Sequence, residues 1–145
     1  MSDTLFDIGE DDQTRADARL IEAYVRAGRG LDDLAYTPEF EAVMRDLASA
    51  GDARKEREVL QRLQNLRKAK KLPALGRTQS PAVKVSTEEE QALREIVLGV
   101  IGTLGQRDQL PYTPAMDAIA ETFMARCGRP LSPHDLWRLI QKLAK

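Results

Sequence analysis

An all-α fold made of two related three-helix units in tandem is the architecture this sequence predicts, and three observations lead to it. Apolar residues recur at helical spacing in six segments. Nearly all of those segments are bounded by a capping residue, a proline or a glycine. Shifted by 76 residues, the sequence matches itself without a gap.

Taken in order, residues 1–13 are acidic and lack periodicity, which predicts a flexible tail. The first unit is expected over 14–72. Its first helix runs from about Thr14 to Ala27 with Leu20, Tyr24 and Ala27 on an apolar face, and Gly28 stops it. Thr37 and Pro38 open the second helix, the threonine as N-cap and the proline at the first helical position, where a missing N–H costs nothing. This helix buries Phe40, Val43, Met44 and Leu47 and ends at Gly51. A third helix is expected from Asp52 to about Lys71, with Val59, Leu60, Leu63 and Leu66 inward and Pro73 as the stop.

Residues 73–86 mix Pro, Gly, Ser and Thr and read as a linker, with room for a short irregular hairpin around Val83-Lys84-Val85. The second unit follows over 87–145. Ser86 and Glu89 form a capping box for a fourth helix that carries Leu93, Ile96, Val97, Val100, Ile101 and Leu104, with Gly105 as its cap. Thr113-Pro114 opens a fifth helix burying Met116, Ile119, Ala120, Phe123 and Met124 before Gly128. Ser132-Pro133 opens a sixth built on Leu136, Leu139, Ile140 and Leu143.

The 76-residue shift lays Leu34 on Leu110, Tyr36-Thr37-Pro38 on Tyr112-Thr113-Pro114, Leu60 on Leu136 and Arg62-Leu63 on Arg138-Leu139. Capping accounts for the Thr and Pro of each tripeptide, so a structural role is expected, with each Tyr ring packed inside its own unit.

Composition narrows the function. Of the 145 residues, 42% are hydrophobic but only 5% aromatic, so the core must be mostly aliphatic. No apolar run approaches the ~20 residues needed to span a bilayer, and residues 1–4 lack the basic start of a signal peptide, so a cytoplasmic protein is expected. Cys127 is the only cysteine, which excludes a disulfide framework or a cysteine metal site. The net charge of −1 hides a segregation: residues 1–53 carry 13 acidic and 5 basic side chains, whereas 54–85 carry 2 acidic and 10 basic.

That basic block makes the third helix the candidate contact surface. With Leu63 at the centre of the buried side and 100° per residue, the opposite face shows Arg54, Arg57, Gln61, Gln64, Asn65 and Lys68, with Lys71 just beyond. Arg, Lys, Gln and Asn are the side chains that reach phosphates and base edges. A short three-helix unit whose last helix carries such a face resembles helix-turn-helix DNA-binding folds over residues 14–72. The resemblance implies that this helix would lie in the major groove. A solvated helix face explains the same charges without a ligand.

Other features point less sharply. Trp137 lies away from the leucine stripe of the sixth helix, beside His134, Arg138, Gln141 and Lys145, and suits either a partner-binding surface or the edge of the core. Leu5-Phe6-Asp7-Ile8 resembles the Leu-Phe type of docking peptide used by bacterial sliding-clamp partners, which makes Leu5, Phe6 and Ile8 candidate partner-binding residues. His134 has no Cys or His at metal spacing and no nucleophile beside it, so a plain surface histidine is expected. Three acids at Glu88, Glu89 and Glu90 suit the positive end of a helix. The expectation is a non-enzymatic nucleic-acid-binding protein, DNA favoured, with no catalytic residue, metal or cofactor. The alternative is a protein–protein adaptor using the acidic tail and the Trp137 surface.

Overall fold

A computed structural model describes the backbone of residues 2–75 and 81–144, with side chains described from Asp12 onward. The described residues are all-helical, without a strand. The α-helices are α1 (Ser2–Ala27), α2 (Pro38–Ser49), α3 (Glu56–Lys68), α4 (Thr87–Ile101), α5 (Pro114–Cys127) and α6 (Pro133–Leu143). Two 3-10 segments, Leu31–Asp33 and Leu104–Gln109, precede α2 and α5. No helix among the described residues is long and apolar enough to cross a membrane.

The tail, the start of α3, the end of α4 and residues 81–86 differ from the sequence reading, as does the end of α3, which falls at Lys68 rather than about Lys71. The expected flexible tail is helical from Ser2, in continuity with α1. Further along α1, an i,i+4 hydrogen bond runs from Gln13 Nε2 to Asp17 Oδ1 at 3.1 Å. Helix α3 starts at Glu56 rather than Asp52, because Gly51 takes φ +85° to end α2 and Asp52 is drawn into a fork with Arg54. Helix α4 stops at Gly102, not Gly105: Gly102 adopts φ +78° and its N–H donates to the Leu98 carbonyl at 2.9 Å. Residues 81–86 form no hairpin. They run as extended chain along α6 and the α5–α6 loop, where Arg138 donates to the Pro81 carbonyl and Arg129 to that of Lys84.

The apolar stripes fall where the periodicity places them, apart from Val100 and Met124, which are 43% and 47% exposed at the outer sides of α4 and α5. Buried side chains from both halves, Leu20 through Leu143, belong to one continuous cluster. Contacts between the halves are reciprocal: α6 packs against the 31–33 segment, and α3 packs against the 104–109 segment.

At the centre of this exchange the two Tyr-Thr-Pro turns meet. In each, the tyrosine adopts a left-handed backbone, φ +65° at Tyr36 and +62° at Tyr112. In each, the threonine hydroxyl donates back to a leucine carbonyl, Thr37 to Leu34 and Thr113 to Leu110. The tyrosines do not pack inside their own halves. Their rings stack on each other with centroids 4.3 Å apart. The Tyr36 amide donates to the Tyr112 hydroxyl, and the Tyr112 amide to the Tyr36 hydroxyl, both at 2.5 Å. Left-handed geometry costs a non-glycine residue about 1–2 kcal/mol. Stacking and the crossed hydrogen bonds offset that cost, because the left-handed turn aims each amide at the opposite ring.

Replacing either tyrosine by phenylalanine keeps the ring but strands the opposite amide, so each should cost about 1–2 kcal/mol in urea unfolding. Burial pushes both hydroxyls above the usual tyrosine range. With folded values raised, the contribution is intact below about pH 10 and is lost as pH rises, because only the unfolded chain then releases the protons. The wild type should therefore lose stability above about pH 10 more steeply than the double phenylalanine variant. Equal alkaline slopes would count against the crossed hydroxyls as the source.

Candidate nucleic-acid interface

Helix α3 turns Val59, Leu60, Leu63 and Leu66 into the core, as a 3.6-residue period requires. The polar stripe behind them is less open than its periodicity implies. At 100° per residue Arg57, Gln61, Gln64 and Lys68 fall within a narrow arc, and the 104–109 segment lies against the helix on this stripe. Gln64 is 2% exposed, and its Oε1 has no hydrogen-bond partner among the described residues. It is therefore a buried amide and not a surface contact, which corrects the sequence reading. Gln61 is half-buried and donates to Asn65 Oδ1 at 3.2 Å.

Several cations of the basic block are also spent on acids of the first half. Arg54 forks onto Asp52, with its shortest contact 2.6 Å, and Arg62 onto Asp17 at 2.6 and 2.9 Å. Hydrogen bonds from these guanidinium groups hold both carboxyls below the usual aspartate range. Arg67 reaches Asp32 at 2.6 Å. Lys68 stands 3.6 Å from Asp108 and remains 65% exposed. Arg57, Asn65 and Lys71 are exposed, as are Lys55 and Lys70. Arg57 has no ion-pair or hydrogen-bond partner among the described residues. Of the seven residues the sequence singled out, Arg57, Asn65, Lys68 and Lys71 form the accessible set, Gln61 is partly covered, Arg54 is neutralised and Gln64 is enclosed.

The end of α3 carries a feature that periodicity does not show. Lys70 adopts φ +62°, its N–H donates to the Arg67 carbonyl, and the Lys71 N–H donates to that of Leu66. This is the paired-bond helix stop in which glycine is usual. Helices α1, α2, α4 and α5 each end beside a glycine at positive φ, namely Gly28, Gly51, Gly102 and Gly128.

The partner-binding candidates fare differently. Side chains of Leu5, Phe6 and Ile8 lie outside the described residues, as does Lys145. Trp137 is 2% exposed and part of the core, so it offers no partner surface. Of the two expected roles the core-edge one is the nearer, with Trp137 fully inside the core of a helix against which the 31–33 segment packs.

A polar cluster that the sequence reading overlooked closes that junction. Asp33, 1% exposed, accepts from Arg29 at 2.5 Å, lies 2.6 Å from His134 Nε2 and 3.3 Å from Arg138 Nε. His134 is thus an inter-half contact and not a plain surface histidine. Gln141 Nε2 adds a 2.6 Å bond to the Asp32 carbonyl. The available signal was the 76-residue shift itself, which lays Arg29 on Gly105 and Asp33 on Gln109, positions where the two halves disagree. Among the described residues no three His, Cys, Asp or Glu side chains gather as a metal site would require.

Asp33→Asn keeps the shape but removes the shared carboxylate, leaving the mostly buried Arg29 with Glu39 and Arg138 with only the 3.9 Å contact to Asp135 as counter-charge. It should cost about 3 kcal/mol of unfolding free energy, and a loss under about 1 kcal/mol would mean that the cations relax to water instead.

Set beside known proteins, the chain matches no protein family, no curated protein and no solved structure.

Proposed function

We propose that this chain is a small non-enzymatic nucleic-acid-binding protein, DNA favoured, built of two related three-helix, helix-turn-helix-like units in tandem. Its contact surface is the exposed basic side of α3: Arg57, Asn65, Lys68 and Lys71, joined by Lys70. The observation that carries this reading is the lysine at position 70. A left-handed backbone costs a lysine about 1 kcal/mol relative to glycine, and the four other left-handed helix stops among the described residues are glycines. Positive charge is kept where the backbone would favour its removal, beside Lys68 and Lys71. Because the 104–109 segment covers part of the polar stripe, phosphate contact takes precedence over deep insertion of α3 into a groove.

A second reading, a protein–protein adaptor, draws on the ion pairs Arg54–Asp52, Arg62–Asp17 and Arg67–Asp32, which satisfy part of the basic block internally. It keeps only the Leu5-Phe6-Ile8 segment as a contact, since Trp137 is buried.

Fluorescence anisotropy against duplex and single-stranded oligonucleotides separates the two. Wild-type affinity should fall steeply with salt, and the Arg57→Glu/Lys68→Glu variant should bind weakly with a log–log salt slope shallower by roughly 2. Both side chains point away from the leucine stripe, so circular dichroism should be unchanged. An unaltered affinity in the variant, or no wild-type binding at low salt, would hand the case to the adaptor. Lys70→Gly provides an opposed pair of readouts: stability should rise by about 0.5–1 kcal/mol while affinity drops. If affinity holds, the charge at position 70 is not kept for nucleic acid.

A further inference from the structure

The two junctions between the halves occupy corresponding positions under the 76-residue shift, yet they differ. One is sealed by a buried ion cluster, with a groove of about 350 Å³ beside it along Asp32, Arg138 and Gln141; the other has no such cluster among the described residues and is open. At the sealed junction Arg29 and Asp33 form an i,i+4 ion pair that His134 and Arg138 complete. At the open one, Gly105 stands where Arg29 would, and Gln109 where Asp33 would. Trp137, buried at the sealed side, has Gln61 as its counterpart. Arg62, the counterpart of Arg138, turns away to Asp17. Arg29 and Trp137 are bulkier than their counterparts Gly105 and Gln61, and the open side holds a groove of about 330 Å³ between α3 and the 104–109 segment.

The chemistry of that groove is specific. Arg57 and Lys68 line it together with the amides of Gln61, Gln106 and Gln109 and the carboxylate of Asp108. Asp108 is drawn toward Lys68 at 3.6 Å, so the two cations exceed the anion by one charge and Arg57 is the uncompensated one. One positive charge ringed by neutral donors complements a singly charged phosphodiester. It does not suit a free phosphate dianion equally well, since the Asp108 carboxylate repels the second charge.

From this we propose that the groove is the seat of one backbone phosphodiester of the nucleic acid, held by Arg57 and Lys68 with the glutamine amides around it. The assignment rests on the nucleic-acid reading of α3 and adds a consequence to it: the seat exists only when the two halves are docked, because α3 supplies one wall and the 104–109 segment the other.

The test is to rebuild the sealed junction in the open one. Gly105→Arg/Gln109→Asp recreates the Arg29–Asp33 pair at the same i,i+4 spacing with no change in net charge. A side chain is tolerated there, since a Cβ at Gly105 meets only Thr103 Oγ1, at 3.6 Å. Oligonucleotide affinity should fall roughly tenfold, the loss of about one charged contact, with the melting temperature kept or raised. Gly105→Ala, which leaves the groove open, should bind as the wild type does. Gly105→Arg alone adds a cation: it should still weaken binding if the groove is the seat, whereas general electrostatic attraction would strengthen it. Inorganic phosphate and a mononucleotide, compared with chloride at equal ionic strength, should not displace the oligonucleotide. Wild-type affinity in the plugged double variant would overturn the seat while leaving the α3 reading in place. Displacement by the free ions would overturn the polymer assignment, and absence of wild-type binding would overturn both the seat and the α3 reading.

Discussion

Two tyrosines that would each be unfavourable alone hold the molecule together. Tyr36 and Tyr112 both sit in left-handed backbone, stack at 4.3 Å, and exchange amide-to-hydroxyl hydrogen bonds. Neither turn can relax without losing the bond that the other ring supplies, so the strain is mutual and is resolved only in the docked pair. Phe40 extends the stack, with its centroid 5.5 Å from that of Tyr112. The placement of the 31–33 and 104–109 segments follows from this contact, since each lies directly upstream of its tyrosine turn. Those segments in turn set which faces of α6 and α3 are covered.

Covering is also what divides the surface chemically. On the α6 side it produces a junction with an enclosed carboxylate matched by two guanidinium groups and an imidazole. On the α3 side, glycine and glutamine replace arginine and aspartate, and a polar groove with an unpaired arginine remains. The candidate contact surface is therefore a product of two elements distant in sequence rather than of one helix. Part of the positive charge of residues 54–85 serves the fold through Asp17, Asp32 and Asp52. The charge segregation seen along the chain is partly cancelled in space, because acidic and basic segments are neighbours.

Much of the helical framework was legible in the sequence because its signals are local. Thr37-Pro38, Ser86 with Glu89, and Ser132-Pro133 mark helix starts through chemistry confined to one turn. The leucine stripe of α3 and that of α6 follow from spacing alone. What escaped was whatever depends on the other half. Gln64 lies off its leucine stripe and reads as accessible, and Trp137 reads as a partner surface or a core edge, yet both are buried. No single-helix period contains that information. The tyrosine turns were recognised as equivalent, but threonine and proline capping explained them so fully that the rings were assigned to their own halves. Gly105 was read as a helix cap because glycine serves that purpose so often, whereas Gly102 performs it and Gly105 leaves space.

The tyrosine contact also constrains the order in which this chain can be assembled. Its partners are 76 residues apart, and closing so long a loop must precede any gain from the contact. Synthesis delivers α1 to α3 well before Tyr112, His134 and Arg138 exist. Until then Asp33 has only Arg29 beside it. The helices, being local, form early and quickly; docking is the late, topology-limited event. In the first half alone Asp33 accordingly has Arg29 as its ion-pair partner, and the contacts from His134 and Arg138 become possible only once α6 is present.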